Sequence, residues 1–220
     1  CACLVGSEMC IRDRSYPIDI HTHRLVPVPG ESIVSCLPDA FFPQEDGWYS
    51  VGIHPWSLDS YDWMDATFRT YFESLVCHPQ VLAVGEVGLD KLVSVPLDSQ
   101  IEALRYQADL AESIGKPLVL HLVKATTELL ALKRELNPRV PWIVHGFRGK
   151  AQLALDLVRH GLYLSFGACY QEEALRQMPA DRLFLETDES DVPISDLYER
   201  AALVPVSYTH LRAHETCADL

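Results

Sequence analysis

Residues 117–145 read PLVLHLVKATTELLALKRELNPRVPWIVH, and their hydrophobic period changes twice. A short apolar run, Leu118 to His121, gives way to Leu129, Leu132 and Leu136 on one helical face. LNPRVP stops that helix, since proline cannot continue one, and a second apolar run follows from Trp142 to His145. Strand, crossover helix and strand in one short stretch make the unit of a parallel sheet, and here both strands end on a histidine.

The same order extends in both directions. Further strands are predicted at Ile18 to His21, Ser32 to Leu37, Tyr49 to Ile53, Val81 to Glu86, Leu162 to Phe166 and Leu183 to Glu186. Ile101, Leu104, Ala108 and Ala111 share a second helical face, closed by IGKP, and Ala151, Ala154, Leu155 and Val158 a third. Between the first three strands, RLVPVPGE and PDAFFPQEDGW leave room only for loops. Eight strands in β/α order predict an α/β fold, a TIM-type (β/α)8 barrel with its early helices trimmed. The alternative is an open doubly wound sheet, whose glycine fingerprint for nucleotides is absent.

Composition narrows the function. The chain of 220 residues is 48% hydrophobic and 22% charged, with apolar runs too short to span a bilayer, so a cytoplasmic protein without membrane contact is expected. A net charge of -13 excludes coating nucleic acid by charge alone, but leaves room for a cleft that binds a few phosphates. The seven cysteines include no C-x-x-C pair, and Cys36, Cys77 and Cys169 in the body are expected to be reduced and mostly buried. Residues 1–16 and 204–220 lack sustained periodicity and look like translated sequencing-adapter read-through. They are expected to be a non-native or disordered extension and a non-native tail flanking a barrel of residues 17–203.

A barrel gathers the carboxyl ends of its strands at one mouth, where active sites of this architecture lie. Those ends carry His21 and His23, His54, Glu86, His121, His145 and Asp188. Side chains two apart on a strand point the same way, so His21 and His23 can grip one ion. Imidazole with carboxylate suits Zn²⁺, Mn²⁺ or Fe²⁺, and several carboxylates admit Mg²⁺. Each residue also has a plain reading: a solvated strand end for a single histidine, a surface glutamate before a glycine turn for Glu86, a helix cap for Asp188. Four histidines on strand ends make the joint coincidence much harder to accept. Asp188, ionised beside cations, can also take a proton from water. Lys124 and Arg148, each three residues after a strand-end histidine, either meet an anionic substrate or are solvated loop charges. In GIHPW, His54 can touch a phosphate and Trp56 can stack on a base or simply pack.

DIHTH, GIHPW, GEVGLD, GKPLVLH, HGFRG, YLSFG and LETDES occur in the order of the TatD-family metal-dependent hydrolases, over roughly Pro17 to Ala202. The resemblance implies a barrel hydrolase of the amidohydrolase-like kind with one or two divalent ions, Zn²⁺, Mg²⁺ or Mn²⁺. It implies phosphodiesterase activity on DNA, often 3′ to 5′ exonuclease, and no obligate protein partner. By the same resemblance His21 and His23 hold one ion, His121 and His145 the other, and Glu86 bridges them. Asp188 completes the first site and acts with Glu86 in catalysis; the expected substrate contacts, read from their places in the sequence and not from the resemblance, are His54, Lys124 and Arg148. HGFRG stands where the family has HCFSG, LETDES where it has ETDAP, and LHLVKA where it has IHSRDA. The family's last helical segment after YERAA is replaced by LVPVSYTH, which implies that this helix is missing. Two other functions fit less well: a related amidohydrolase cleaving a C–N or ester bond through a bridging carbamylated lysine, and a degenerate barrel that only binds.

Overall fold

The computed structural model describes residues 17–24 and 30–204. Its strands are β1 (Asp19–Thr22), β2 (Ser32–Cys36), β3 (Trp48–Val51), β4 (Val81–Asp90), β5 (Leu118–Val123), β6 (Trp142–Val144), β7 (Tyr163–Phe166) and β8 (Leu183–Leu185). They pair in sequence order, every neighbour parallel. The circle closes where Thr22 bridges Asp188: Asp188 N–H donates to His21 O at 3.0 Å and His23 N–H to Asp188 O at 3.2 Å. Thr187 adds its N–H and its hydroxyl to the two oxygens of Asp19, at 2.9 and 2.6 Å. The sheet is the expected barrel, drawn shut at the carboxyl ends of its strands. Burial pushes the Asp19 carboxyl up to about 6, with the Thr187 hydrogen bonds pulling against it.

The helices are α1 (Ala66–Val76), α2 (Leu97–Ile114), α3 (Thr126–Leu136), α4 (Ala151–Arg159), α5 (Glu172–Arg176) and α6 (Ile194–Leu203). The three helices legible as amphipathic repeats are α2, α3 and α4. Among the described residues no α-helix precedes α1; two 3₁₀ turns, Pro38–Ala40 and Pro55–Ser60, stand there instead, so the early helices are trimmed as expected. The segment beyond Val204, where the last helix was expected to be missing, lies outside the described residues, as do the cysteines of both ends. Cys36 and Cys77 are free and partly buried, but Cys169 is free and exposed, against the expectation of buried thiols.

Alternation along the strands makes two layers. Leu118, Leu120, Trp142, Val144, Leu164 and Phe166 face the helices in one continuous apolar cluster with Phe72, Leu104, Leu129 and Leu157. Ile143 and Phe184 instead join Ile20 in a small separate cluster. They lie two residues before His145 and Glu186, on the same side of their strands, so an apolar plug underlies a polar mouth. Among the described residues no helix is long and apolar enough to cross a membrane.

One strand corrects the sequence reading. The run from Val81 does not end in a glycine turn after Glu86, because β4 continues to Asp90 and pairs Gly88 with His121 and Asp90 with Val123. Gly88 makes this possible: its φ is +145°, and a Cβ there would stand 2.0 Å from the His121 carbonyl oxygen. The longer strand delivers Asp90 to the mouth.

Candidate metal centre

Glu86, on the buried middle of β4, is the point on which the mouth converges. His23 Nε2 and His21 Nε2 stand 3.2 and 3.4 Å from its Oε2. His145 Nε2, His121 Nδ1 and His54 Nε2 stand 2.7, 2.9 and 3.0 Å from its Oε1. Asp188 Oδ1 lies on the first side, 3.7 Å from His23 Nε2 and 4.0 Å from His21 Nε2. Its backbone, at φ 55°, bridges to Thr22, so it closes the barrel rather than capping a helix. The six residues read as ligands from strand ends are thus brought together, with His54 beside them.

Two further carboxylates stand behind the histidines. Glu186, fully buried, accepts Gly146 N–H at 2.5 Å and lies 3.4 Å from His145 Nδ1. Asp90 Oδ2 lies 3.2 Å from His121 Nε2 and accepts Trp56 Nε1–H at 2.8 Å. A carboxylate behind a ligating imidazole fixes its orientation and strengthens the nitrogen facing the ion. The sequence reading assigns neither of these two residues a role at the site. Glu186 had a signal, its spacing two before Asp188; Asp90 had none, because its approach depends on how far β4 extends.

The charges are strongly coupled. Burial alone would raise the Glu86 carboxyl, yet the charge on His145 and the hydrogen bonds from His121 and His145 hold it well below its ordinary value. Burial would depress His145, but Glu186 and Glu86 hold it well above 6.5. His21 goes the other way, pushed down by burial and by the charge on His145. His23, against Glu86, is raised. Without an ion, protons on some imidazoles balance the carboxylates.

The residues fit a divalent cation. His21 is fully buried, and neither of its ring nitrogens has a hydrogen-bond partner, a cost of about 1–3 kcal/mol for each orphaned group. A lone pair given to a cation removes that cost. Donor atoms of His21, His23 and Glu86, and of His21, His145 and Asp188, lie within 4.8 Å of one another. His54, Glu86 and His121 are as close, but His54 Nδ1 accepts Trp56 N–H at 3.1 Å. The proton of a neutral His54 therefore sits on Nε2, which is a donor and not a ligand.

The centre opens into a cleft of about 1360 Å³ lined by His23, His54, Trp56, Lys124, Arg148 and Asp188, among others. Lys124 is exposed at its wall, and the exposed Arg148 guanidinium stands 3.9 Å from Asp188 Oδ2. Lys91 points elsewhere, to Glu128 Oε1 at 2.7 Å on the surface, so no lysine replaces Glu86 as the bridge.

Fold and cluster together define the class: a (β/α)8 barrel with histidines and carboxylates at its mouth whose donor atoms are placed to hold a divalent cation. The chain belongs to the TatD related DNase family, whose family model matches residues 42–213. It is 34% identical over 148 residues to the metal-dependent hydrolase YabD of Bacillus subtilis, covering 63% of this chain and 57% of that protein. It is 35% identical over 152 residues to the 3′-5′ ssDNA/RNA exonuclease TatD of Enterobacter lignolyticus, covering 64% and 57%. The match to the 3′-5′ RNA nuclease TATDN2 of Homo sapiens is 30% over 169 residues, covering 71% and 22%. The chain thus spans a little over half the length of these bacterial relatives. In fold it resembles the crystal structure of the TatD homologue YjjV of Escherichia coli K12, with a TM-score of 0.67 and 22% identity over 81% of this chain and 80% of that one. The TatD family hydrolase of Entamoeba histolytica gives 0.61 at 17% identity, over 78% and 73%.

Proposed function

We propose that the chain is a divalent-metal-dependent hydrolase, a phosphodiesterase that removes nucleotides from DNA ends in the 3′ to 5′ direction. The observation that carries it is the two-sided use of Glu86, with His21 and His23 against Oε2 and His121 and His145 against Oε1. His21, His23 and Asp188 would hold a divalent ion on one side of Glu86, and His121 and His145 on the other. The names of the relatives, nucleases and metal-dependent hydrolases, support the same reading.

Divalent ions held there would supply Lewis acidity, positive charge for the phosphoryl oxygens and a nucleophile available near neutral pH. The chain's own residues do the rest. Asp188 orients the attacking water and takes its proton, its Oδ1 on the ligand side and its Oδ2 toward Arg148. His54 Nε2–H, freed from Glu86, donates to a non-bridging phosphate oxygen. Arg148 and Lys124 hold the phosphates of the incoming strand at the cleft wall, local cations in a chain of net charge -13.

Metal analysis and hydrolysis assays on single-stranded DNA, RNA and duplex DNA test this. Glu86→Ala and Asp188→Ala should each lower turnover more than about 100-fold, beyond the 10–100-fold typical of partners behind the ligands. Circular dichroism should show both variants folded. Wild-type protein that binds metal but hydrolyses none of the substrates would remove the phosphodiesterase reading.

A further inference from the structure

Trp56 is 64% exposed, whereas Trp48 and Trp142 are at 6% and 0%. An indole left in water this way is not serving as core packing. It is nonetheless firmly held. Pro55 precedes it in a 3₁₀ turn, the Trp56 backbone N–H donates to His54 Nδ1, and the indole Nε1–H donates to Asp90 Oδ2 at 2.8 Å. The ring lies edge-to-face against His54, with centroids 5.0 Å apart at 89°, and against His121 at 5.6 Å and 78°. It is clamped along its N–H edge, is mostly exposed and lines the cleft.

The placement matters because of what lies beside it. His54 Nε2 is 3.0 Å from Glu86 Oε1, so the indole is one ring away from where the phosphate is handled. A nucleobase sits one sugar away from its phosphate. A rigid aromatic face at that distance offers π-stacking that every base accepts, without reading its sequence. Rigidity also lowers the ordering cost of binding.

We propose that Trp56 is the platform on which the base next to the scissile phosphate stacks, with Asp90 as the strut that fixes the ring against His121. This rests on the phosphodiesterase reading above and specifies its substrate: a nucleic acid end whose terminal base has left its helical stack. Asp90 thereby links the platform to a ligand of the centre through one carboxylate oxygen.

Trp56→Ala and Trp56→Phe are compared with wild type on a single-stranded oligonucleotide and on the same strand with abasic residues at its 3′ end. Stacking is worth about 1–3 kcal/mol per base, so Trp56→Ala should lose about 5- to 160-fold in kcat/KM on the intact strand, mostly through KM. On the abasic strand the loss should be several times smaller, and Trp56→Phe, which keeps an aromatic face, should recover most of the intact-strand activity. Equal losses on both strands, or none on the intact strand, would overturn the platform. Tryptophan fluorescence of metal-loaded protein titrated with a cleavage-resistant phosphorothioate oligothymidylate gives a second readout. Quenching should occur in wild type and vanish in Trp56→Phe and with an abasic strand; quenching that persists in Trp56→Phe overturns the proposal. If wild type cleaves nothing, the fluorescence result alone decides the platform, and the phosphodiesterase reading falls separately.

Discussion

Replacing Gly88 with alanine should damage both the barrel and the metal centre. The new Cβ would lie 2.0 Å from the His121 carbonyl oxygen and 2.8 and 2.9 Å from its carbonyl carbon and its nitrogen, all backbone atoms that cannot rotate away. The φ of +145° is a region essentially reserved for glycine, costing about 1–3 kcal/mol in strain. Overpacking a close-packed contact costs about 1–3 kcal/mol more. The sum, about 2–6 kcal/mol, is a large part of the roughly 5–15 kcal/mol that holds a domain folded. Relief would come from parting β4 and β5 at the Gly88–His121 pair, which carries His121 away from Glu86. Gly115 supplies the control: it caps α2 at φ +70° with open space around its missing Cβ, so Gly115→Ala should cost only about 1–2 kcal/mol. Urea unfolding with unchanged m-value reads the stability, and metal content after dialysis reads the site. Gly88→Ala should unfold well below Gly115→Ala and lose metal, which Gly115→Ala retains. Equal midpoints for the two variants with full metal in both would refute the reasoning.

Glu186→Gln removes the buried charge behind His145 and should weaken metal binding about 10–100-fold by calorimetric titration, with secondary structure unchanged; unaltered affinity would show that Glu186 does not support the ligand. In metal-free protein, His145 is held well above 6.5 against its burial by Glu186 and Glu86. Such a raised histidine stabilises the fold fully below 6.5 and loses that contribution as pH rises through the raised value. Asp19, at about 6, is already ionised beyond neutrality and adds little slope. Tm in EDTA should therefore fall as pH rises beyond 6.5 and through the raised value of His145, and divalent ions should remove the fall; a flat profile in EDTA would contradict the coupling. Thr187→Val keeps the shape but takes the hydroxyl from Asp19 at the barrel seam, and should cost about 1–3 kcal/mol in urea. A change within a few tenths would mean the seam does not depend on that bond.

Most strand ends were legible because unbroken apolar runs, as in LVL before His121 and WIV before His145, stop abruptly at a histidine or carboxylate. Helices α2, α3 and α4 were legible from their leucine and alanine faces. Helix α1 carried a signal too, with Phe68, Phe72 and Val76 one turn apart and Asp65 capping Thr67 and Phe68, but polar neighbours diluted it. Asp90 was not legible: whether β4 turns or continues after Glu86 depends on Gly88 meeting the His121 backbone, a contact across more than thirty residues.

The residue types at the mouth, four histidines, a glutamate and an aspartate in or just after β1, β4, β5, β6 and β8, were determined by the sequence alone, since apolar runs and turn chemistry are local. Tertiary structure decided which oxygen of Glu86 each pair of histidines faces. It also decided that His54 presents a donor and not a lone pair, and that Glu186 and Asp90 stand behind His145 and His121. Those are matters of direction and of a few ångströms between distant segments. They come into being only when the Thr22–Asp188 bridge draws the last strand back to the first.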